Sequence, residues 1–403
     1  MSNDSQTLRC DFCGKARDEV QKLIVANEAG ICDECISLCS GILHKEKNNK
    51  VREAYGSNRA LDPVKIKEHL DEFVVGQDRA KEMLAVAVTN HYKRIYYETD
   101  LEIEKSNLMV YGPTGSGKTL LARTVARYLD VPFVVADATT ITEAGYVGDD
   151  VEILISRLLA AADYDIALCE RGIIFIDEID KISRKSESAS LTRDVSGEGV
   201  QQALLKIIEG TKCNVKIGEG KRSEEIEVDT SNILFIAGGA FLGLEKIVER
   251  RTNGSSMGFA TAKSENPTGF GSDALPMDLV QFGMIPEFVG RFPIMVPVSA
   301  LTVEDLVSVL KEPKNNLIDQ MKFYFSADDV ELEFEDSAVV AIAEIAHSMN
   351  VGARGLRAIV EKTLSPLMFL LKKMRRSGVK KIIIDEKVVK YHTDPVLVLD
   401  QGE

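Results

Sequence analysis

No run of eighteen apolar residues occurs in this chain of 403 residues, so a helix able to cross a bilayer is not expected. The opening MSNDSQTLRC has no basic region followed by an apolar stretch, which argues against a secretory leader and for a cytoplasmic protein. Positive charge is in deficit, with 49 Lys and Arg against 63 Asp and Glu. The resulting net charge of -14 would repel a polyanion, so nucleic acid is not an expected partner. The sequence has no internal repeat and no heptad register, which sets aside solenoids and coiled coils. Cysteine is scarce beyond residue 39, where only Cys169 and Cys213 of the 7 are found. That distribution is not a disulfide framework, and these two are expected to be plain core or surface residues.

The other five cysteines are concentrated at the start. Cys10-x2-Cys13, an 18-residue spacer and Cys32-x2-Cys35 have the spacing of a four-thiolate Zn2+ site. Cys39 could stand in for Cys35, although the paired register favours Cys35. A module of ~45 residues has too small a core to be stable alone, so the metal would contribute folding energy. Four thiolates leave no open position for water, and the role is therefore structural.

Length implies two or three domains. The predicted organisation is a zinc-binding domain over 1–45, a polar linker over 46–60, an α/β domain over 61–298 and a smaller, mainly helical domain over 299–403. In the α/β part, apolar runs such as NLMVYG at 107–112 and GIIFIDE at 172–178 alternate with helical patterns, which predicts a mostly parallel sheet. Residues 252–274 are rich in Gly, Ser, Thr and Asn and read as a long exposed loop. After Pro297 the patterns are helical, with one strand-like run, VKKIIID at 379–385.

GPTGSGKT at 112–119 fits the phosphate-loop pattern and has an apolar strand before it and an amphipathic helix after it. Glycines at 112, 115 and 117 let the backbone N–H groups face phosphate oxygens at a helix N-terminus. Pro113, Thr114, Gly115, Ser116, Gly117, Lys118, Thr119 and Leu120 are thus the expected ATP-binding segment. Lys118 would contact the β- and γ-phosphates, and Thr119 would offer its hydroxyl to Mg2+. Leu121, Val125 and Leu129 recur at four-residue spacing and would press the helix onto the sheet.

The apolar strand GIIFI ends in Asp177 and Glu178. Ligands of parallel sheets gather at the C-terminal strand ends, so Asp177 could join the Mg2+ shell while Glu178 deprotonates the attacking water. Arg291 in GRF and Arg354 and Arg357 in GARGLR are candidates to contact phosphate.

With VVGQ at 74–77, EAGYVG at 143–148, IDEIDKI at 176–182, RDVSGEGVQQALLKIIEGT at 193–211 and IPEFVGR at 285–291, these motifs make the chain resemble the ClpX family of AAA+ unfoldases. The resemblance covers nearly the whole chain. It implies an AAA+ P-loop ATPase large domain, an AAA+ small domain, and a homohexamer that binds ATP between the two and completes each site with a neighbour. It further implies Arg291 as the finger acting in trans, Arg354 as the phosphate sensor, and Val74 and Val75 as the adenine-contacting segment. Tyr146 and Val147 in GYVG resemble the pore loop that grips substrate polypeptide, and KSESASLTRDVSG at 185–197 resembles a second one. Protein substrates, adaptors bound through the zinc domain and the ClpP peptidase are the implied partners.

Two stretches depart from the family pattern. The peptidase-docking tripeptide is usually Ile or Leu followed by Gly and Phe, and here it reads Met257-Gly258-Phe259. GEGKRSEE at 218–225 replaces a more basic loop that meets substrate tags. A helicase or clamp-loader ATPase is the first rival reading, and the acidic balance argues against it. A non-catalytic nucleotide-binding scaffold is the second, and Glu178 and Arg291 argue against that. An unfoldase that remodels complexes without ClpP stays open.

Overall fold

A computed structural model of the chain describes residues 9–26, 29–39, 61–97, 99–142, 150–184, 197–217, 224–253 and 274–399. The chain divides into two compact units, Met1–Ala60 and Leu61–Glu403. In the first, β1 (Leu23–Ala26) and β2 (Ala29–Cys32) form an antiparallel hairpin that leads into a helix over 33–39. Its buried apolar core among the described residues is Cys10, Cys32 and Cys35, flanked by half-buried Val20, Leu23 and Ile31. Such a core is too small to hold a fold unaided.

The second unit is built on a parallel five-stranded sheet. Its strands are β3 (Leu108–Tyr111), β4 (Phe133–Asp137), β5 (Ile173–Asp177), β8 (Leu234–Gly239) and β9 (Ile294–Pro297), in the order β4-β5-β8-β3-β9. Between them in sequence, β6 (Lys212–Ile217) and β7 (Glu224–Asp229) form a separate antiparallel hairpin. The sheet is covered on both faces, which is why its central strands are continuous apolar runs. In β5, Ile173 and Phe175 pack with Leu84, Val88 and Val125, whereas Ile174 and Ile176 pack with Ile155, Leu158 and Leu204 on the other side. Successive side chains of a strand point to opposite faces, so one strand serves two cores. Leu121, Val125 and Leu129 of the segment 118–129 are all buried, as their spacing predicts.

A third core comprises Leu310, Phe325, Ile342, Val360, Leu364 and Ile382. Around it lie the helices Val303–Lys311, Leu317–Ser326, Asp336–Ser348 and Ala353–Arg376 and a three-stranded sheet. In that sheet β10 (Glu331–Phe334) is parallel to β11 (Val379–Ile384), which is antiparallel to β12 (Val396–Leu399). The sequence announces β11 alone. Strand β10, ELEF, alternates polar and apolar residues over only four positions, too short a run to stand out, and all four residues of β12 are exposed, so it lacks the alternation of a half-buried strand.

The helix Leu244–Asn253 continues past residue 252, where the sequence predicts a loop, and Thr252 Oγ1 caps its own helix on Val248 O at 3.0 Å. At the other end of that stretch Ala274 is buried and its N–H donates to the Tyr111 hydroxyl at 3.1 Å. Tyr146 and Val147, the segments 185–196 and 218–223, and Met257, Gly258 and Phe259 lie outside the described residues. Among the described residues no helix is long and apolar enough to cross a membrane.

Candidate nucleotide site and metal centre

The phosphate loop begins where β3 ends. Gly112 has φ 147°, and a Cβ there would stand 2.0 Å from Val298 O, on the chain leaving the neighbouring β9. Gly115 has φ 76°, and a Cβ would stand 2.3 Å from Val351 O, just before the helix Ala353–Arg376. Both positions therefore require glycine on two grounds, left-handed backbone and lack of space. The Ala353 N–H donates to Gly115 O at 3.1 Å. The loop is thus clasped between the parallel sheet and the start of a helix from the third core.

A cavity of about 410 Å³ opens at this junction. Its wall includes Thr114, Gly115, Gly117, Lys118, Thr119, Leu120, Asp177, Glu178 and Arg354. Sequence reasoning placed these nine at one site from three separate motifs, and the fold brings them together. Pro113 and Ser116 lie behind the loop, where the Ser116 hydroxyl donates to Pro113 O at 2.7 Å. A smaller cavity of about 90 Å³ on that side is shared with Leu301 and His347.

Lys118 is 7% exposed, and its Nζ donates to Gly112 O and Pro113 O, each at 2.8 Å. Burial pushes its pKa down to about 8, against the pull of the Asp177 and Asp180 carboxylates, while the Arg354 guanidinium adds to the depression. An ammonium that is short of counter-charge in a dry cradle is a strong receptor for phosphate oxygens. Thr119 Oγ1 donates to Asp177 Oδ2 at 3.1 Å. A hydroxyl and a carboxylate side by side are hard oxygen donors of the kind that suits Mg2+ beside phosphates.

Glu178 is exposed on the cavity wall and has φ 57°, a left-handed conformation that costs a non-glycine residue strain and recurs at functional sites. Asp180 is buried. It accepts from Ala240 N at 3.1 Å and from Lys181 Nζ at 2.9 Å, and so ties the end of β5 to the end of β8.

Arg123, Asp180, Lys181 and Leu242 also line the cavity and escaped the sequence reading. Arg123 stands one helical turn beyond Thr119, a spacing that could have found it. Leu242 is 75% exposed in a connecting segment and carries no sequence signal.

The three candidate arginines separate. Arg354 is in the cavity wall. Arg357 is turned away, its Nε donating to Glu361 Oε1 at 2.8 Å along the exposed side of its own helix. Arg291 is not among the lining residues, and Glu209 holds it with Nη2 at 2.7 Å and Nε at 2.9 Å from Oε1. Val74 is buried, with Cγ1 3.9 Å from where a Gly117 Cβ would be, and Val75 beside it is half-buried.

In the first unit the sulfurs of Cys10, Cys13, Cys32 and Cys35 all lie within 4.8 Å of one another, and Cys13 Sγ and Cys32 Sγ are 3.6 Å apart. Tetrahedral Zn2+ with Zn–S bonds of about 2.3 Å needs sulfurs roughly 3.8 Å apart, so the cluster fits the ion. Backbone N–H groups support it, Cys32 N donating to Cys10 Sγ and Cys35 N to Cys32 Sγ. Cys39 is half-exposed and is not in this cluster, whereas Cys35 is. Cys169 and Cys213 are buried core residues.

Three families match successive parts of the chain. Residues 8–45 match the ClpX C4-type zinc finger, 103–295 the AAA domain (Cdc48 subfamily), and 301–380 the C-terminal, D2-small domain, of ClpB protein. The ATP-dependent Clp protease ATP-binding subunit ClpX of Treponema denticola is 50% identical over 394 residues, which cover 95% of this chain and 94% of that relative.

Proposed function

Because this chain belongs to the ClpX family and is an ATPase, we propose that it is the motor of an ATP-dependent protein-unfolding machine. In this reading six copies form a ring in the cytoplasm, bind tagged protein substrates, pull them through the central pore and deliver them to the ClpP peptidase. The observation that carries it is the split site. The cavity is walled by the phosphate loop and by Arg354 at the start of the Ala353–Arg376 helix, so nucleotide held there bears on two separate cores at once. A change at the γ-phosphate can then alter the angle between them, a hinge-type transition that does mechanical work.

Lys118 binds the β- and γ-phosphates, Thr119 and Asp177 hold Mg2+, and Val74 and Val75 contact the base. When bound, Mg2+ neutralises charge that builds on the phosphate oxygens. Glu178 takes the proton of the attacking water, and Arg291 of a neighbouring copy stabilises the transition state. Tyr146 and Val147 grip the substrate chain by bulk rather than by a specific pocket, Met257, Gly258 and Phe259 dock the peptidase, and the zinc module recruits adaptors. Methionine is apolar and adaptable enough to fill a pocket that takes Ile or Leu.

The test is loss of fluorescence from a tagged, stably folded reporter, with ATP and with or without ClpP. Wild type unfolds it, whereas Glu178→Gln binds ATP and does not. Adding ClpP converts unfolding into peptide release. A wild-type chain that hydrolyses ATP, never unfolds the reporter and responds instead to DNA would overturn the proposal.

A further inference from the structure

Lys81 is charged and only 2% exposed. An ammonium is expensive to bury unless it is paired and hydrogen-bonded, so its partners show what its burial achieves. Nζ donates to Asp71 Oδ1 at 2.6 Å and to Val74 O at 2.6 Å. Asp71 is held in turn by Lys67 Nζ at 3.2 Å, and Lys67 also reaches Asp78 Oδ1 at 3.1 Å.

Val74 N–H donates to Leu70 O at 2.9 Å, so both main-chain polar groups of Val74 are engaged. Among the described hydrogen bonds none uses the main chain of Val75. The segment is pinned on its far side as well. Gln77, at φ 61°, exchanges two hydrogen bonds with the Ser299 main chain, at 2.8 Å and 2.9 Å. Among the described residues Val75 therefore keeps its N–H and its C=O open, set between two fixed points and next to a valine whose Cγ1 lies 3.9 Å from where a Gly117 Cβ would be.

We propose that Lys81 is a positioning residue for the nucleotide base. By holding the Val74 carbonyl it aims the Val75 N–H and C=O at the base edge and so sets the preference for adenine over guanine. Adenine presents a ring-nitrogen acceptor beside an amino donor, the complement of one extended residue's N–H and C=O. Guanine presents a ring N–H donor beside a carbonyl acceptor, which opposes both groups. A site built to hydrogen-bond one pattern rejects its reverse because buried polar groups are then left unpaired. The inference rests on the reading of Val74 and Val75 as the base-contacting segment.

The experiment titrates the full chain with Mg2+ and each of ADP, GDP and inorganic pyrophosphate, in wild type, Lys81→Met and Val75→Pro. Lys81→Met is expected to weaken ADP roughly tenfold and to leave GDP and pyrophosphate within about twofold, so that the adenine preference collapses. At saturating ATP its kcat is unchanged while KM rises. Equal weakening of ADP and pyrophosphate would make Lys81 a merely structural residue and overturn the proposal.

Val75→Pro removes the N–H and is expected to abolish the same preference. If it does and Lys81→Met does not, the role of Lys81 fails alone. If Val75→Pro keeps the preference, the base-contacting reading itself fails. Should a thermal melt show that Lys81→Met does not fold, Asp71→Asn carries the test. That variant keeps Lys81 but removes its counter-charge, with the same direction of effect expected and the same contrary results.

Discussion

Arg291 is clamped by Glu209 of its own chain, through Nη2 at 2.7 Å and Nε at 2.9 Å to the same carboxylate oxygen, and it does not line the cavity that holds Lys118 and Glu178. Both side chains are about half exposed, so the pair is worth about 1 kcal/mol or less and a phosphate can outcompete it. In the proposed ring, Arg291 serves a neighbour's site from this position. Arg291→Ala is expected to lower kcat for ATP by about a thousandfold with little change in KM, as for other trans-acting arginines. Steady-state kinetics on assembled protein, with a thermal melt to show that the fold is intact, checks this.

Lys118 gives the site a pH signature. Burial lowers its pKa to about 8, whereas an unfolded chain restores the ordinary lysine value of about 10.4. Between those values the unfolded chain binds more protons, so the penalty this group imposes on the folded state is full below pH 8 and fades as pH rises through that window. Nucleotide binding runs the other way because phosphate needs the cation. ADP affinity should be flat below pH 8 and should fall by up to about tenfold per unit above it. Calorimetric titration from pH 6 to 10 reads this, and Lys118→Met should bind weakly without that slope.

The clasp between the loop and the third core is testable by adding one carbon. At Gly352, φ is 59° and a Cβ would lie 2.8 Å from Gly115 O. Gly352→Ala should cost about 1–3 kcal/mol of local strain and displace the Ala353–Arg376 helix from the phosphate loop. ATP turnover should fall more than tenfold while the sheet core keeps its amide-exchange protection. Unchanged turnover would show that the clasp is irrelevant to the site.

Most of the site was legible because its chemistry sits in contiguous stretches. A phosphate loop needs a strand, glycines and a helix in one run, and β3 with residues 112–128 has that order. The carboxylates Asp177 and Glu178 follow directly on an apolar strand. What escaped depends on distant pairing. Asp180 matters through Ala240 N, and Lys81 through the Val74 carbonyl, and no local pattern marks either contact. Strand β12 was missed because it is paired by β11 but exposed at every residue, so periodicity had nothing to report. Read without the family resemblance, which alone gave Arg291 and Arg354 separate roles, the sequence left Arg291, Arg354 and Arg357 as equivalent candidates. The cavity separates Arg354 from the other two.

The zinc unit makes its own prediction. With Cys10, Cys32 and Cys35 supplying its buried core, removal of Zn2+ by a chelator should unfold residues 9–39 and expose four reactive thiols per chain. Thiol titration reads those four, and Cys169 and Cys213, buried in the other unit, should stay protected. Cys13→Ser should lose the metal and leave Cys10, Cys32 and Cys35 reactive without a chelator, whereas Cys39→Ser should retain it.

The central claim is that each ATP site is finished by a neighbouring copy, and mixing two dead variants tests it most directly. Glu178→Gln has no catalytic base but an intact Arg291, and Arg291→Ala is its complement. Each alone should hydrolyse almost no ATP. Co-assembled, some interfaces pair an intact Glu178 with an intact Arg291 from the adjacent chain, and hydrolysis should reappear. If the mixture stays as inactive as its parents while assembling normally, Arg291 does not act across the interface and the account is wrong.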